Sequence, residues 1–395
     1  MLKSKKAVDL FCGCGGISVG LKQAGVDVLA GADIEKKYLA SFKHNFPKAK
    51  ALNLDLSVMS PNELMNLIEI DSNQLDLLVG GPPCQGFSKN VPRKNRHLND
   101  PKNLLVNSFL DYCEVLQPKM ILMENVAEMK NGFEQAYSQE IISRLENEGY
   151  TVTSMVLNAA DYGVPQRRKR AFFLANRYGF EFEIPLPTHN SEKLNNLNYL
   201  FVMNEHVSVW DAISDLPALE HGDGQKLTTY KTLPQNSYQE FMRENCEFVT
   251  NHIARRLQPI QHERLSSLKA GQGLKDLPAH LQTKGGYSGA YGRLTKEMIA
   301  PTITRWVFHP GSGRWGHPVD IRTLTMREVA RIQSFPDSYE FVGSYNEQAG
   351  QLGNAVPPLL AKTIIQSMTS QLERFKKETK SSQLTFSSGS LNAIA

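Results

Sequence analysis

Residues 77–88 read LLVGGPPCQGFS. The apolar run ending at Val79 predicts a buried strand, and the glycines, prolines and cysteine behind it predict a turn at that strand's carboxyl end. In an open α/β sheet this edge faces the ligand crevice. Pro82 and Pro83 fix φ near about −65° and remove two donors, so Cys84 is carried on stiff backbone suited to a nucleophile. A cysteine standing alone would read instead as a small buried hydrophobe. The neighbouring segments decide between the two.

Outward from that turn, strand-like and helix-like segments alternate. Strands are expected at 7–11, 26–33, 51–55, 75–80, 120–126, 152–159 and 171–176, and helices at 17–24, 35–46, 61–69, 104–116 and 134–148. The pattern predicts an α/β, doubly wound, Rossmann-like sheet whose strand ends line one crevice. Across 179–320 both periodicities weaken and Gly, Pro, Asn and His recur, which separates this stretch from residues 1–178. Helical periodicity returns after Arg322, at 329–333, and a helix over 359–375 should pack back on the sheet, making the first domain discontinuous (1–178 with 321–375). Residues 376–395 are polar and low in core formers and are expected to be disordered.

A chain of 395 residues with 41% hydrophobic and 21% charged residues can bury a sizeable core. Its net charge of +4 permits a nucleic-acid partner without requiring one. Five cysteines form no CxxC pair, which argues for free thiols in a reducing cytosol and against zinc or any other metal. No secretory or membrane-spanning apolar run is present.

The predicted strand ends carry the chemistry. After the first strand, Phe11, Gly13, Gly15 and Gly16 form a loop of small residues opening a helix, where backbone can approach a ligand closely. Ser18 stands where a dinucleotide fingerprint needs its third glycine, so a diphosphate is disfavoured. Asp33, after the second strand, is placed for a ribose hydroxyl pair, and Asp55, after the third, for an exocyclic amine. The alternative is that both cap the helices that follow. Glu124 closes an apolar strand and should be desolvated, with its pKa pushed up, and able to serve as an acid. In QRRKR, alternation puts Arg168 and Arg170 on one face, toward the crevice, and Arg167 and Lys169 on the solvated one.

Six stretches, in this order, resemble the cytosine-5 DNA methyltransferases of restriction-modification type: DLFCGCGG (9–16), GGPPCQGFS (80–88), ENV (124–126), QRRKR (166–170), RTLTMREVARIQSFPDSY (322–339) and GNAVPP (353–358). The resemblance implies a methyltransferase sheet with a smaller, irregular target-recognition domain over 179–320. It implies S-adenosyl-L-methionine held by Asp9, Phe11, Gly13, Gly15, Gly16, Asp33, Ile34, Asp55, Leu56, Pro82, Leu105, Asn354 and Val356. Cys84 would add to carbon 6 of cytosine, with Arg168 or Arg170 favouring its thiolate. Glu124 would hold nitrogen 3 and the amine, and Arg170 oxygen 2.

The target base must leave its stack. Residues 88–103 are polar and basic and are expected to close on the DNA backbone, with Gln85, Ser88, Lys89, Arg93, Lys94 and Arg96 as contacts. Arg255, Arg256, Arg293, Arg305 and Arg314 are candidate phosphate or guanine contacts in the recognition region, with Tyr287, Tyr291 and Trp306 near them. The implied partners are double-stranded DNA and a cognate restriction endonuclease, with the enzyme monomeric, cytoplasmic and off the membrane. A transfer-RNA cytosine methyltransferase is the rival within this chemistry, but its Cys-Phe-Thr signature is replaced here by CEFVT at 246–250. A catalytically silent nucleic-acid binder would not need Cys84, Glu124 and Arg170 together. An NAD-dependent oxidoreductase is weakened by Ser18 and by the lack of an evident hydride-handling histidine.

Overall fold

The computed structural model describes residues 4–83, 104–131, 135–190, 203–283 and 289–389. Seven strands form the central sheet in the order β3-β2-β1-β4-β5-β7-β6. In chain order they are β1 (Lys6–Leu10), β2 (Asp27–Asp33), β3 (Lys50–Asn53), β4 (Leu77–Gly80), β5 (Met120–Val126), β6 (Thr151–Asn158) and β7 (Lys169–Asn176). The helices between them are α1 (Gly16–Gln23), α2 (Lys36–Asn45), α3 (Pro61–Ile68), α4 (Leu104–Leu116), α5 (Ala127–Asn131) and α6 (Ala136–Asn147). Each expected strand and helix of this half is present, with ends shifted by a residue or two. Local chemistry sets those ends: Ser60 accepts from the Glu63 N–H at 3.2 Å while Glu63 reaches back to Ser60, and Pro61 opens α3.

The five strands from β3 to β5 run parallel, whereas β7 lies antiparallel to both β5 and β6. Residues 159–168 are too few for the helical crossover a parallel neighbour needs, on the order of a dozen residues, so the chain turns straight back. This reversal brings the start of β7 against the end of β5, pairing Arg170 with Val126 and Phe172 with Glu124.

One core under the sheet joins Val8, Leu10, Ile121 and Met123 to Phe109 and Leu110 of α4. On the other face Ala7, Leu77 and Leu122 pack with Leu21 and with Ile364 and Ile365 of the last helix.

Beyond the sheet the elements are short: β8 (His189–Asn190), β9 (Asn204–Glu205), α7 (Val209–Ile213), β10 (Leu227–Thr229), α8 (Ser237–Met242), β11 (Phe248–Thr250) and α9 (Pro259–Ser266). They are followed by α10 (Met326–Ile332), α11 (Tyr345–Asn354) and α12 (Pro358–Gly389). The third core spans the whole chain, joining Phe42 and Phe46 to Ile213, Val249, Leu324, Val329 and Phe335. α10 begins at Met326, within the helical periodicity that returns after Arg322, because Thr325 caps it, accepting from the Glu328 N–H at 3.2 Å. Its arginines are buried. Arg331 pairs with Asp337 at 2.7 Å and with Asp215, and Arg322 takes Glu328 at 2.8 Å.

Where disorder is expected from 376 onward, α12 continues through 376–389, and residues 390–395 lie outside the described residues. Lys376, Lys377, Glu378 and Lys380 are good helix formers, and extending a nucleated helix is far easier than starting one. No helix among the described residues is long and apolar enough to cross a membrane.

Candidate active site

The crevice begins where β1 ends. Phe11 and Gly13 take positive φ values of 56° and 54°, which turns the loop over the edge of the sheet. A Cβ on Gly13 would meet nothing within 4 Å, whereas one on Gly16 would lie 2.3 Å from the Val356 carbonyl oxygen. Gly13 therefore borders open space, and Gly16 serves close packing against 355–356. Asp33 ties the loop down: Oδ2 accepts from the Gly13 N–H at 2.7 Å and Oδ1 from the Glu35 N–H at 2.8 Å. Burial raises its pKa, against these two donors. Beside it Ile34 is 60% exposed, an apolar side chain left open at a polar edge. Asp55 accepts from the Ser57 hydroxyl at 2.6 Å, which lowers its pKa.

Other expected cofactor residues divide into framework and rim. Asp9 is enclosed rather than open: it is 1% exposed and accepts from the Ser18 hydroxyl at 2.6 Å. Burial pushes its carboxyl up to about 7, partly offset by Ser18. Leu56 and Val356 are core side chains, Pro82 is buried, Leu105 is half-buried and Asn354 is exposed at the end of α11.

The opposite wall is the β5–β7 edge. In an antiparallel pair, side chains opposite one another share a face, so Glu124 lies on the face of Phe172 and, two residues on, of Arg170. Glu124 Oε1 meets Arg170 Nε at 2.9 Å. Burial raises the Glu124 pKa, opposed by Arg170 and then Arg168. β4 delivers the next segment to the same place, since a Cβ on Gly81 would lie 3.1 Å from Glu124 Oε2. Asn125 fixes that segment, its amide donating to the Pro82 carbonyl at 3.1 Å. Nothing in the sequence reading singled out Asn125. Strand periodicity reports a face, not a partner on another loop. Cys84, Gln85, Ser88, Lys89, Arg93, Lys94 and Arg96 lie outside the described residues.

Alternation gives Arg168 the expected parity, with Arg167 and Lys169 exposed, but not the expected role. Its guanidinium is 2% exposed and donates to the carbonyls of Ile303 at 3.0 Å and Gly353 at 3.1 Å, so Arg170 alone of the pair meets Glu124. Periodicity cannot report depth.

A C-5 cytosine-specific DNA methylase model matches residues 5–370. The chain belongs to this family. The DNA methylase is 35% identical to the Type II methyltransferase M.DdeI of Desulfomicrobium norvegicum, over 92% of this chain and 88% of that one. It is 31% identical to the Type II methyltransferase M.AgeI of Thalassovita gelatinovora, over 92% and 99%. A solved structure described as a prophage-encoded DNA modification methyltransferase of E. coli superposes with a TM-score of 0.75 at 25% identity, over 94% of this chain and all of that one. The fold is also that of the S. pombe Dnmt2 methyltransferase, with a TM-score of 0.56 at 18% identity and coverage of 93% and 99%. The protein is thus a DNA cytosine-5 methyltransferase with the expected α/β sheet.

In this methylase the basic residues of 179–320 are not equivalent. Arg293 is 7% exposed and donates to the carbonyls of Leu268 and Val319, both at 2.8 Å, so it is a framework residue rather than a DNA contact. Irregular backbone leaves carbonyls without ladder partners, and a guanidinium with five donors can satisfy several of them. Arg314 does the same for Gly271, Gln272 and Arg293. Arg305 is exposed, 5.0 Å from the centroid of the half-exposed Trp306 ring. Arg255 lies 4.9 Å from the Phe308 ring centroid and donates to the Phe308 carbonyl at 3.4 Å. Arg256 is exposed, Tyr291 is buried, and Tyr287 lies outside the described residues.

Proposed function

We propose that the enzyme transfers a methyl group from S-adenosyl-L-methionine to carbon 5 of a cytosine flipped out of a specific duplex sequence, through a covalent Cys84 adduct. The observation that carries this reading is the buried Glu124–Arg170 pair, met at 2.9 Å beside the backbone that leads to Cys84. The crevice suits the cofactor's chemistry: open room at Gly13, an apolar face at Ile34, and an Asp33 carboxylate with lone pairs left for a hydroxyl pair. When bound there, the cofactor supplies an electrophilic methyl group on a sulfonium.

Carbon 5 of cytosine is a poor nucleophile. Addition of the Cys84 thiolate to carbon 6 converts the ring to an enamine. Glu124 holds nitrogen 3 and the exocyclic amine, and Arg170 both steadies Glu124 and holds oxygen 2. Carbon 5 then takes the methyl group, its proton leaves, and the electron pair expels Cys84. The products are 5-methylcytosine and S-adenosylhomocysteine. Residues 1–178 with 321–375 form the catalytic part, and 179–320 read the target, with Arg255 and Arg305 as contacts. A cognate endonuclease cutting the same site is the natural partner of a monomeric enzyme of this kind.

The test uses radiolabelled S-adenosylmethionine with a mixed-sequence duplex and bulk transfer RNA as parallel acceptors, and Cys84→Ser as control. Label on carbon 5 of DNA cytosine, absent with the variant, is the expected result, and bisulfite sequencing then maps the site. Label confined to RNA, or retained by Cys84→Ser, would overturn it.

A further inference from the structure

Three separated stretches meet at Arg168. Its two terminal nitrogens donate to two separate later segments of the chain, Nη1 to the Ile303 carbonyl at 3.0 Å and Nη2 to the Gly353 carbonyl at 3.1 Å. The first carbonyl belongs to the exit of the irregular region and the second to the last turn of α11, beside Asn354, an expected cofactor residue. Among the described residues its Nε has no hydrogen-bond partner and the side chain makes no ion pair.

The neighbours of Arg168 lock the same stretches. Gln166 accepts from the Ile303 N–H and donates to Gln333 Oε1, both at 2.8 Å, and Gln333 donates to the Leu352 carbonyl. Backbone pairing continues the seam, from Arg167 N–H to the Ala300 carbonyl at 2.9 Å and from Ala300 N–H to the Pro165 carbonyl at 3.0 Å. Gly353 is pressed against the recognition exit, since a Cβ there would stand 2.2 Å from the Arg305 nitrogen. Residues 353–354 and 303–305 thus pack directly on one another, and the Arg305 side chain is itself exposed.

We propose that Arg168 is a positioning residue that binds the recognition exit to the cofactor turn, so that filling the cofactor crevice stiffens the DNA-reading stretch 300–305, and duplex engagement stiffens the crevice in return. The proposal rests on the cofactor reading above. The coupling is reciprocal because one set of contacts serves both sites. Arginine is required because its planar fork spans two carbonyls on different segments; a lysine ammonium reaches one.

Hydrogen exchange on the full chain, with and without S-adenosylhomocysteine, tests this in the wild type, Arg168→Lys and Arg168→Met. In the wild type the ligand slows exchange both at 353–356 and, by about fivefold or more, at 300–305. In Arg168→Lys the slowing persists at 353–356 and is lost at 300–305, and Arg168→Met behaves likewise if it folds. Protection at 300–305 that survives in Arg168→Lys, or that is absent from the ligand-bound wild type, overturns the proposal. The wild-type arm decides even where a variant does not fold. Failure of S-adenosylhomocysteine to bind the wild type overturns the cofactor reading, and the proposal with it.

Discussion

Glu124 and Arg170 meet at 2.9 Å because β7 runs antiparallel to β5, with Arg170 opposite Val126 and on the same face as Glu124. A parallel β7 would have put its start at the far end of the sheet. The reversal thus places a carboxyl held up by burial against Arg170, the first of the two cations that restrain it.

Replacing Glu124 by Gln keeps the shape and removes the ionisable group. Methyl transfer should fall by about 10²–10⁴-fold, with S-adenosylhomocysteine affinity unchanged. Single-turnover rates and calorimetry on one preparation separate the two, and equal losses in both would assign Glu124 to the fold.

Asn125→Ala leaves the Pro82 carbonyl without its donor, which costs about 1–3 kcal/mol in a buried setting. Misplacement of the following residues should lower kcat by up to about a hundredfold. A variant with wild-type kcat would show that Pro82 needs no such support.

Gly20 sits inside α1, where alanine would ordinarily add about 1 kcal/mol of stability. Here a Cβ would lie 2.6 Å from that of Ala361 and 2.9 Å from the Pro358 carbonyl oxygen. Gly20→Ala should therefore destabilise, by about 1–3 kcal/mol, as read from urea midpoints.

Asp9 gives stability a pH dependence of definite sign. Its folded pKa is raised from 3.8 to about 7, chiefly by burial, so between those values the native state binds the extra proton and stability falls as pH rises. Asp33, also raised, adds a slope of the same sign in both proteins. Asp9→Asn should lose the Asp9 share, gaining on the wild type between pH 5 and about pH 8 in urea melts. Parallel curves would refute a protonated Asp9.

Arg293 and Arg305 should separate by salt. Arg305→Ala should reduce the slope of log affinity against log salt by about one, while Arg293→Ala lowers stability and leaves that slope alone. Identical slopes for all three proteins would remove Arg305 from the DNA contacts.

The sheet was legible because its central strands, such as β4 and β5, are short apolar runs ahead of Gly, Pro or acidic residues, and motif order placed Glu124 and Arg170 near strand ends. Hidden from the sequence was whatever depends on depth or on distant partners. Arg168 and Arg293 read as charges for a ligand, yet both are enclosed and hold carbonyls. Asp9, a cofactor residue by resemblance, is enclosed instead, held by the Ser18 hydroxyl. The direction of β7 was missed because strand periodicity is the same in either direction, and only the short connection carried the information.

Part of the grip of the α10 region on residues 212–250 falls on backbone, beside the Arg331–Asp215 ion pair. Arg331 donates to the Ala212 carbonyl, Arg322 to that of Leu219 and Arg327 to that of Thr250. Every amino acid offers a carbonyl, so these three bonds survive a change of side chain at their far ends. Much of this stretch could therefore change its side chains while these three bonds, which hold it to the helix-bearing body, stay as they are.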